Sequence, residues 1–257
     1  MLILLPPSEG KTRPADGAPL DLGSLSFPVL TPVRELLLRT LVKMCAGNAQ
    51  RAAEVLGLGP TQSAAVTVNA GLLDEPAARA DEIYTGVLFS ALDLASLDAA
   101  SRQRADESIA IASALFGLVR PGDHIPAYRL SGTVSLPRLG PVAARWREPL
   151  PRVMTEAVGD GLLVDLRSGT YTALGKPPAE LADRTATMRV LHEQNGQRKV
   201  VSHFNKATKG RIVRGLMESG TDPKTIEELQ DVLAELGWSV ERVGNRLDVV
   251  VAEVALT

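Results

Sequence analysis

The sequence MLILLPPSEGKT at residues 1–12 predicts a buried strand that is followed at once by a polar loop. The first five residues are apolar, and Pro6-Pro7 is typical of a strand end. The loop then presents Glu9 and Lys11 at the position where ligand sites of α/β sheets commonly lie. It is not a P-loop, because the first glycine and the following helix pattern of that motif are missing.

Two later segments repeat this arrangement of an apolar strand and a polar loop. Residues 108–115 and 162–166 have the composition of core strands, and each is followed by a glycine-bearing loop with charged side chains. If the three strands share one sheet and one direction, their loops meet at a single basic cleft. The cations that we expect to line this cleft are Lys11, Arg120, Arg129, Arg167, Lys206 and Lys209.

Residues 200–217, VVSHFNKATKGRIVRGLM, predict a strand end that leads into a basic helix. Six Lys or Arg residues and no carboxylate lie between Glu193 and Glu218. On a helical wheel, Lys206 and Lys209 fall on or beside the buried stripe near the helix start, where a phosphate or carboxylate is favoured.

On the same helix, Arg214 falls on the other side of the wheel, and Gly210 permits the close approach of another backbone or a ligand. The alternative interpretation is an ordinary amphipathic helix whose lysines extend to solvent.

The segment LGLGP at residues 56–60 is a second candidate for phosphate contacts. Two helices joined by an apolar-Gly-apolar-Gly hairpin resemble the helix-hairpin-helix motif, whose loop amides contact nucleic-acid phosphates without reading sequence. Gly57 and Gly59 are therefore candidate phosphate-binding residues. The alternative is a glycine C-cap followed by a proline in the next helix, and few basic residues flank the hairpin.

The order of the elements predicts the fold class. Helices are expected at residues 31–44, 48–56, 81–104, 141–158 and 222–236. Strands are expected at residues 185–194 and 197–204, joined by Asn195-Gly196, and at 238–243 and 246–251, joined by Gly244-Asn245. Mixed with the three core strands, these elements predict an α+β fold: one domain over residues 1–257, with a mixed β-sheet and surrounding helices.

The composition argues against several classes of protein. A net charge of −2 argues against a nucleic-acid binder that works by bulk charge. The single cysteine, Cys45, excludes an internal disulfide framework and favours a cytoplasmic location. No segment reaches the roughly 18 apolar residues that cross a bilayer, so we expect no membrane partner. Without a His-rich or Cys-rich ligand set, we expect no metal site and no cofactor.

Short motifs follow one another along nearly the whole chain. They are Pro7-Ser8 with Lys11-Thr12, Tyr84-Thr85-Gly86, residues 115–121 (LFGLVRP) with Asp123, Tyr128-Arg129-Leu130, Ser168 with Tyr171, and Lys206-x-x-Lys209-Gly210 with Arg214. In this order and spacing they resemble the YaaA-like peroxide stress resistance proteins.

This resemblance implies one α+β domain with a helix-hairpin-helix-like element, a basic cleft and DNA binding without strong sequence preference. It also implies a role in the oxidative stress response, where the protein limits iron-dependent damage under hydrogen peroxide. Family members have glutamates at the places held here by Ser131 and Thr170. Carried over to matching positions, the resemblance points to Lys11, Arg120, Tyr128, Arg129, Lys206, Lys209 and Arg214.

Two functional hypotheses follow. In the first, the cleft holds the phosphate backbone of double-stranded or branched DNA. In the second, the protein is an enzyme acting on a nucleotide or another phosphorylated small molecule, with Glu9 as a general acid or base and Tyr128 orienting the substrate. The sequence leaves open whether there is catalysis, and it does not define the oligomeric state.

Overall fold

The computed structural model describes residues 1–194, 197–200 and 202–252. Its strands are β1 (Leu2–Leu5), β2 (Ala77–Arg79), β3 (Ile109–Ser113), β4 (Gly117–Val119), β5 (His124–Pro126), β6 (Ser135–Leu136), β7 (Gly140–Pro141), β8 (Leu163–Asp165), β9 (Thr185–Gln194), β10 (Gln197–Lys199), β11 (Ser239–Val243) and β12 (Arg246–Ala252). Its α-helices are α1 (Thr31–Cys45), α2 (Ala49–Leu56), α3 (Ala64–Ala70), α4 (Ala80–Ile83), α5 (Val87–Leu92), α6 (Ala99–Ser108), α7 (Val142–Trp146), α8 (Pro149–Val158), α9 (Gly169–Thr172), α10 (Ser202–Ser219) and α11 (Ile226–Glu235). None of the described helices is both long and apolar enough to cross a membrane.

Eight strands form one mixed sheet in the order β11-β12-β9-β8-β1-β3-β4, with β10 also paired to β9. The strands β3, β1, β8, β9 and β12 run parallel to one another. By contrast, β4, β10 and β11 are antiparallel to their neighbours. The predicted α+β class with a mixed sheet and surrounding helices is therefore confirmed.

The first strand, β1, lies near the centre of the sheet. Ile3 pairs with Ile109 of β3 on one side and with Val164 of β8 on the other, and all three side chains are buried. Because these strands run parallel, the carboxyl ends of β1 and β8 lie at the same edge of the sheet. The polar loops that follow these two strands meet there, as predicted.

Residues 81–104 are not the single helix that their apolar pattern predicts. They form the end of α4, all of α5, a 3-10 turn and the start of α6. Gly86 and Asp93, on either side of α5, have φ angles of 94° and 44°. Positive φ values interrupt a right-handed helix. The break before α5 places residues 86–89 beside the loop that follows β1.

The strand predicted to run to Phe204 is shorter than expected. It ends as β10 at Lys199, and α10 already begins at Ser202. The antiparallel pairing of β9 with β10 agrees with the predicted hairpin, but its turn at Asn195-Gly196 lies outside the described residues.

The last helix also begins later than predicted. Thr225, and not Asp222, is the N-cap of α11, because its hydroxyl accepts the amide of Glu228. Asp222 instead forms an ion pair of 2.7 Å with the Met1 ammonium. The final hairpin, β11 with β12, has the predicted pairing.

Candidate functional site

A cleft of about 630 Å³ opens at the edge of the sheet where β1 and β8 end. The loops after these strands, the start of α5, the short helix α9 and one face of α10 surround it. Its lining residues are Pro6, Pro7, Ser8, Glu9, Gly10, Thr85, Gly86, Val87, Leu88, Phe89, Ser131, Leu166, Ser168, Thr170, Tyr171, Val200, Asn205, Lys206 and Lys209. The cleft therefore combines apolar surface with hydroxyls and two lysines.

The helix α10 supplies both lysines. Its stripe of Ile212, Val213, Leu216 and Met217 is buried as predicted, which fixes the face that Lys206 and Lys209 present. Lys209 is half-buried, and its Nζ donates only a long hydrogen bond of 3.4 Å to the Leu166 carbonyl. Lys206 is exposed at the mouth of the cleft.

Burial lowers the pKa of Lys209, and the nearby Asp165 carboxylate opposes this shift. Asp165 is already bound by Arg167 through hydrogen bonds of 2.7 and 2.9 Å. Lys209 is therefore a cation in a partly dehydrated site, and the nearby Asp165 carboxylate is bound by Arg167.

The opposite side of the cleft carries a carboxylate. Glu9 lines the cleft and forms an ion pair of 2.8 Å with Arg129. Asn69 holds Arg129 in turn, since its amide group accepts the Arg129 N–H and donates to the Arg129 carbonyl. Arg129 thus contacts the loop that follows β1, and its guanidinium forms an ion pair with Glu9 of that loop.

Lys11 and Tyr128 lie behind the same loop. The Lys11 Nζ donates to the Ser8 carbonyl at 2.9 Å and lies 4.4 Å from the centre of the Tyr128 ring. Tyr128 is buried, with its hydroxyl 2.9 Å from the Tyr84 hydroxyl and 2.7 Å from Ser113 Oγ. Burial raises the pKa of Tyr128 well above its usual value and that of Tyr84 to about 12, so both phenols remain protonated.

Three predicted arginines lie outside the cleft. Arg120 donates to the carbonyl of Ile109, the first residue of β3, and this places it at the opposite end of the strand from the cleft. Arg167 is buried against Asp165 beside a second cavity of about 420 Å³. Arg214 donates to the carbonyls of Leu92 and Asp93 at the end of α5. Arg120 and Arg167 are not among the residues that line the cleft, and neither are Lys11 and Arg129. A main-chain carbonyl binds Arg120 and a buried carboxylate binds Arg167.

The segment with Gly57 and Gly59 follows the simpler of its two interpretations. Gly57 ends α2 with a φ of 65°, and its amide donates to helix carbonyls. The Gly59 amide donates to the Gln62 side chain at 3.3 Å. A 3-10 turn, Pro60–Gln62, then leads to α3. Both glycine amides have partners within the protein, and a helix-hairpin-helix element is not confirmed.

Several lining residues were not predicted as site residues. The start of α5, Val87 to Phe89, was hidden inside a predicted long helix, although Gly86 was a signal that the helix could break. Ser131 and Thr170 both line the cleft. In the described residues, no group of three or more His, Cys, Asp or Glu side chains is placed to hold a metal ion.

The fold and site define an α+β protein with a ligand-sized cleft at the carboxyl edge of a mixed sheet. The family model described as "Peroxide stress protein YaaA" matches residues 1–242. A UPF0246 protein of Streptomyces coelicolor is 54% identical over 261 residues, covering 99% of this chain and 100% of that protein. A UPF0246 protein of Corynebacterium efficiens is 43% identical over 243 residues, covering 94% and 95%. This chain belongs to the YaaA peroxide stress protein family, the UPF0246 family.

Proposed function

We propose that the cleft binds a compact phosphorylated anion of nucleotide size, and that the protein serves the peroxide stress response through this binding. The observation that carries the proposal is the state of the two lysines on α10. Among the described residues, no carboxylate lies within ion-pair distance of Lys206 or Lys209, whereas Arg129, Arg167 and Arg214 all have acidic partners.

An ammonium without a partner is costly in a partly dehydrated site, and an anion that binds there restores the lost interaction. This argument applies most strongly to Lys209, because burial lowers its pKa. A bound phosphate would raise the pKa again and keep Lys209 charged. The hydroxyls of Ser168 and Thr170 add hydrogen-bond donors for phosphate oxygens.

The size and lining of the cleft favour a small ligand. A volume of about 630 Å³ lies within the range of roughly 300–1,000 Å³ that is usual for small-molecule sites. Pro7, Leu88 and Phe89 provide apolar surface for the remainder of the ligand. A nucleotide would suit this lining, because it combines a phosphate for the lysines with a flat, weakly polar base for the apolar surface.

Calorimetry with ADP, AMP, ribose 5-phosphate and pyrophosphate tests this proposal. We expect at least one of them to bind, and we expect Lys206→Met with Lys209→Met to weaken binding at least tenfold, equivalent to about 1.4 kcal/mol. Arg211→Met is the matched control, because Arg211 is exposed on the same helix and does not line the cleft. Failure of all four ligands, or equal binding by the double variant, would refute the proposal.

DNA binding is the second candidate, and the exposed position of Lys206 at the cleft mouth favours it. A phosphate of a DNA strand lying across the mouth could reach this ammonium. Gel-shift assays on duplex and branched DNA should then show binding that weakens steeply with salt. At a given salt concentration, the same double variant should bind DNA more weakly than the wild type does. Undiminished binding by this variant would exclude the cleft as the DNA site.

Glu9 is the carboxylate placed for acid–base chemistry on a bound ligand, because among the acidic residues that the structure describes it alone lines the cleft. Tyr128 is buried behind the wall. If the ligand is turned over, phosphorus NMR should detect the product, and Glu9→Gln should abolish turnover while binding persists. Turnover that persists in Glu9→Gln would remove Glu9 from this role.

A further inference from the structure

Lys11 is a predicted site cation that does not line the cleft itself. Its Nζ lies 4.4 Å from the Tyr128 ring centre and 5.3 Å from that of Tyr84, and both tyrosines are buried. Both distances are within the range of a cation–π contact, and an ammonium on aromatic faces is stabilised by the ring quadrupole.

The two rings are held firmly. The hydroxyl of Tyr128 bonds to the Tyr84 hydroxyl and to Ser113 Oγ, and Ser113 is the last residue of the core strand β3. Ser113 Oγ also accepts the amide of Phe116, whose ring packs edge-on against Tyr128. The Lys11 ammonium therefore rests on a support that is continuous with the central sheet.

On its other side, Lys11 holds the wall of the cleft. Its Nζ donates to the Ser8 carbonyl at 2.9 Å and so closes the loop of residues 8–11 on itself. Ser8 Oγ accepts the amide of Thr85 at 2.9 Å, which joins this loop to the start of α5. Ser8, Gly10 and Thr85 all line the cleft. The Lys11 ammonium thus joins this wall to the two buried tyrosines.

The charged and titratable groups that face Lys11 are Glu9, Arg129, Tyr84 and Tyr128. Burial lowers the pKa of Lys11 to about 8, Glu9 opposes the shift and Arg129 adds to it. Below pH 8 Lys11 is mostly a cation, and above pH 8 it becomes mostly neutral.

We propose that Lys11 is a positioning residue whose ammonium holds the Ser8–Gly10 wall in the shape that accepts an anion. The proposal rests on the function proposed above for the cleft. When Lys11 loses its proton, it loses the attraction to the two rings and to Glu9, so the wall loosens. Anion affinity should therefore fall as the pH rises above 8.

Hydrogen exchange of the Thr85 amide tests the wall without any ligand. After correction for intrinsic exchange, its protection should fall between pH 7 and pH 9.5 in the wild type but stay constant in Lys11→Arg, which remains charged. In Lys11→Met, protection of the Thr85 amide should be as low at every pH as it is in the wild type at pH 9.5. Lys43→Arg, at an exposed lysine of α1, is the control and should behave as the wild type does. Identical profiles for the wild type, Lys11→Arg and Lys11→Met would overturn the proposal.

Calorimetry with ADP over the same pH range separates this proposal from the one on which it rests. Wild-type affinity should fall by up to about tenfold per pH unit above pH 8, and that of Lys11→Arg by less. Lys209 is present in both proteins, so the difference between their pH profiles isolates Lys11. ADP binding with the same pH profile in both proteins would refute the role of Lys11. Absence of ADP binding, with the expected exchange profiles, would count against ADP as the ligand and leave the role of Lys11 in the wall supported.

Discussion

At the scale of single residues, Asp165 and Arg167 form the most deeply buried ion pair near the cleft. The two side chains are 4% and 0% exposed, and the guanidinium binds both carboxylate oxygens. Arg167 also donates to the Tyr171 carbonyl, so its charge is well satisfied. The Asp165 carboxylate raises the pKa of Lys209 and so opposes the effect of burial on that lysine.

Replacing Asp165 with Asn should destabilise the protein by about 3–5 kcal/mol, because it leaves the Arg167 charge buried without its partner. Urea denaturation measures this loss. Asp160→Asn is a suitable control, because Asp160 is exposed in the turn before β8. The control should change stability by no more than about 0.5 kcal/mol. Equal stability of the two variants would contradict this account of the pair.

At the scale of elements, the close packing of α10 on α5 positions the lysine-bearing face. Gly210 makes this approach possible, because a Cβ at that position would overlap the Leu88 carbonyl and would lie 2.9 Å from the Ala91 Cβ. Arg214 adds hydrogen bonds to the last carbonyls of α5. The two helices are therefore closely packed, and the lysines of α10 lie beside the apolar start of α5.

Gly210→Ala should destabilise the protein by about 1–3 kcal/mol, because α10 must shift away from α5. Gly215→Ala on the same helix is the matched control. Its Cβ would meet only the Leu236 side chain, at 3.4 Å, and alanine favours a helix over glycine by about 1 kcal/mol. Thermal unfolding should give shifts of opposite sign, and a stable Gly210→Ala variant would refute the close-contact argument.

The sequence correctly predicted those elements whose apolar residues recur at the spacing of a strand or a helix. β1 and the buried stripe of α10 were predicted because apolar residues at strand or helix spacing indicate what they pack against. The breaks around α5 were missed because they depend on the backbone conformations of Gly86 and Asp93. Arg120 and Arg214 were assigned to phosphate because a sequence shows a charge but not the carbonyl that binds it.

At the scale of the whole molecule, the sheet joins segments that are far apart in the chain. β1 pairs with β3 and β8, and β8 in turn pairs with β9. These parallel strands are largely buried, whereas most of the edge strand β11 is exposed. Protection from solvent should therefore be greatest at β1 and smallest at the β11 edge.

Native-state hydrogen exchange should order the strands in this way. Amides of β1 and β3 should exchange only through global unfolding, while those of β11 should exchange through local opening with a smaller free energy. The measurement is the exchange rate of each amide at increasing low concentrations of denaturant. Exchange of β1 amides at the same low free energy as β11 amides would contradict the central role of the first strand.

The central position of β1 also has a consequence for synthesis on the ribosome. This strand is made before both of its partners, and β8 ends only at Asp165, so the backbone of β1 cannot be paired on both edges until roughly 160 further residues have been made. At about 5–20 residues per second this takes on the order of ten seconds or more. The nascent chain therefore presents an unpaired hydrophobic strand throughout much of translation, and we expect it to depend on chaperones that shield such segments.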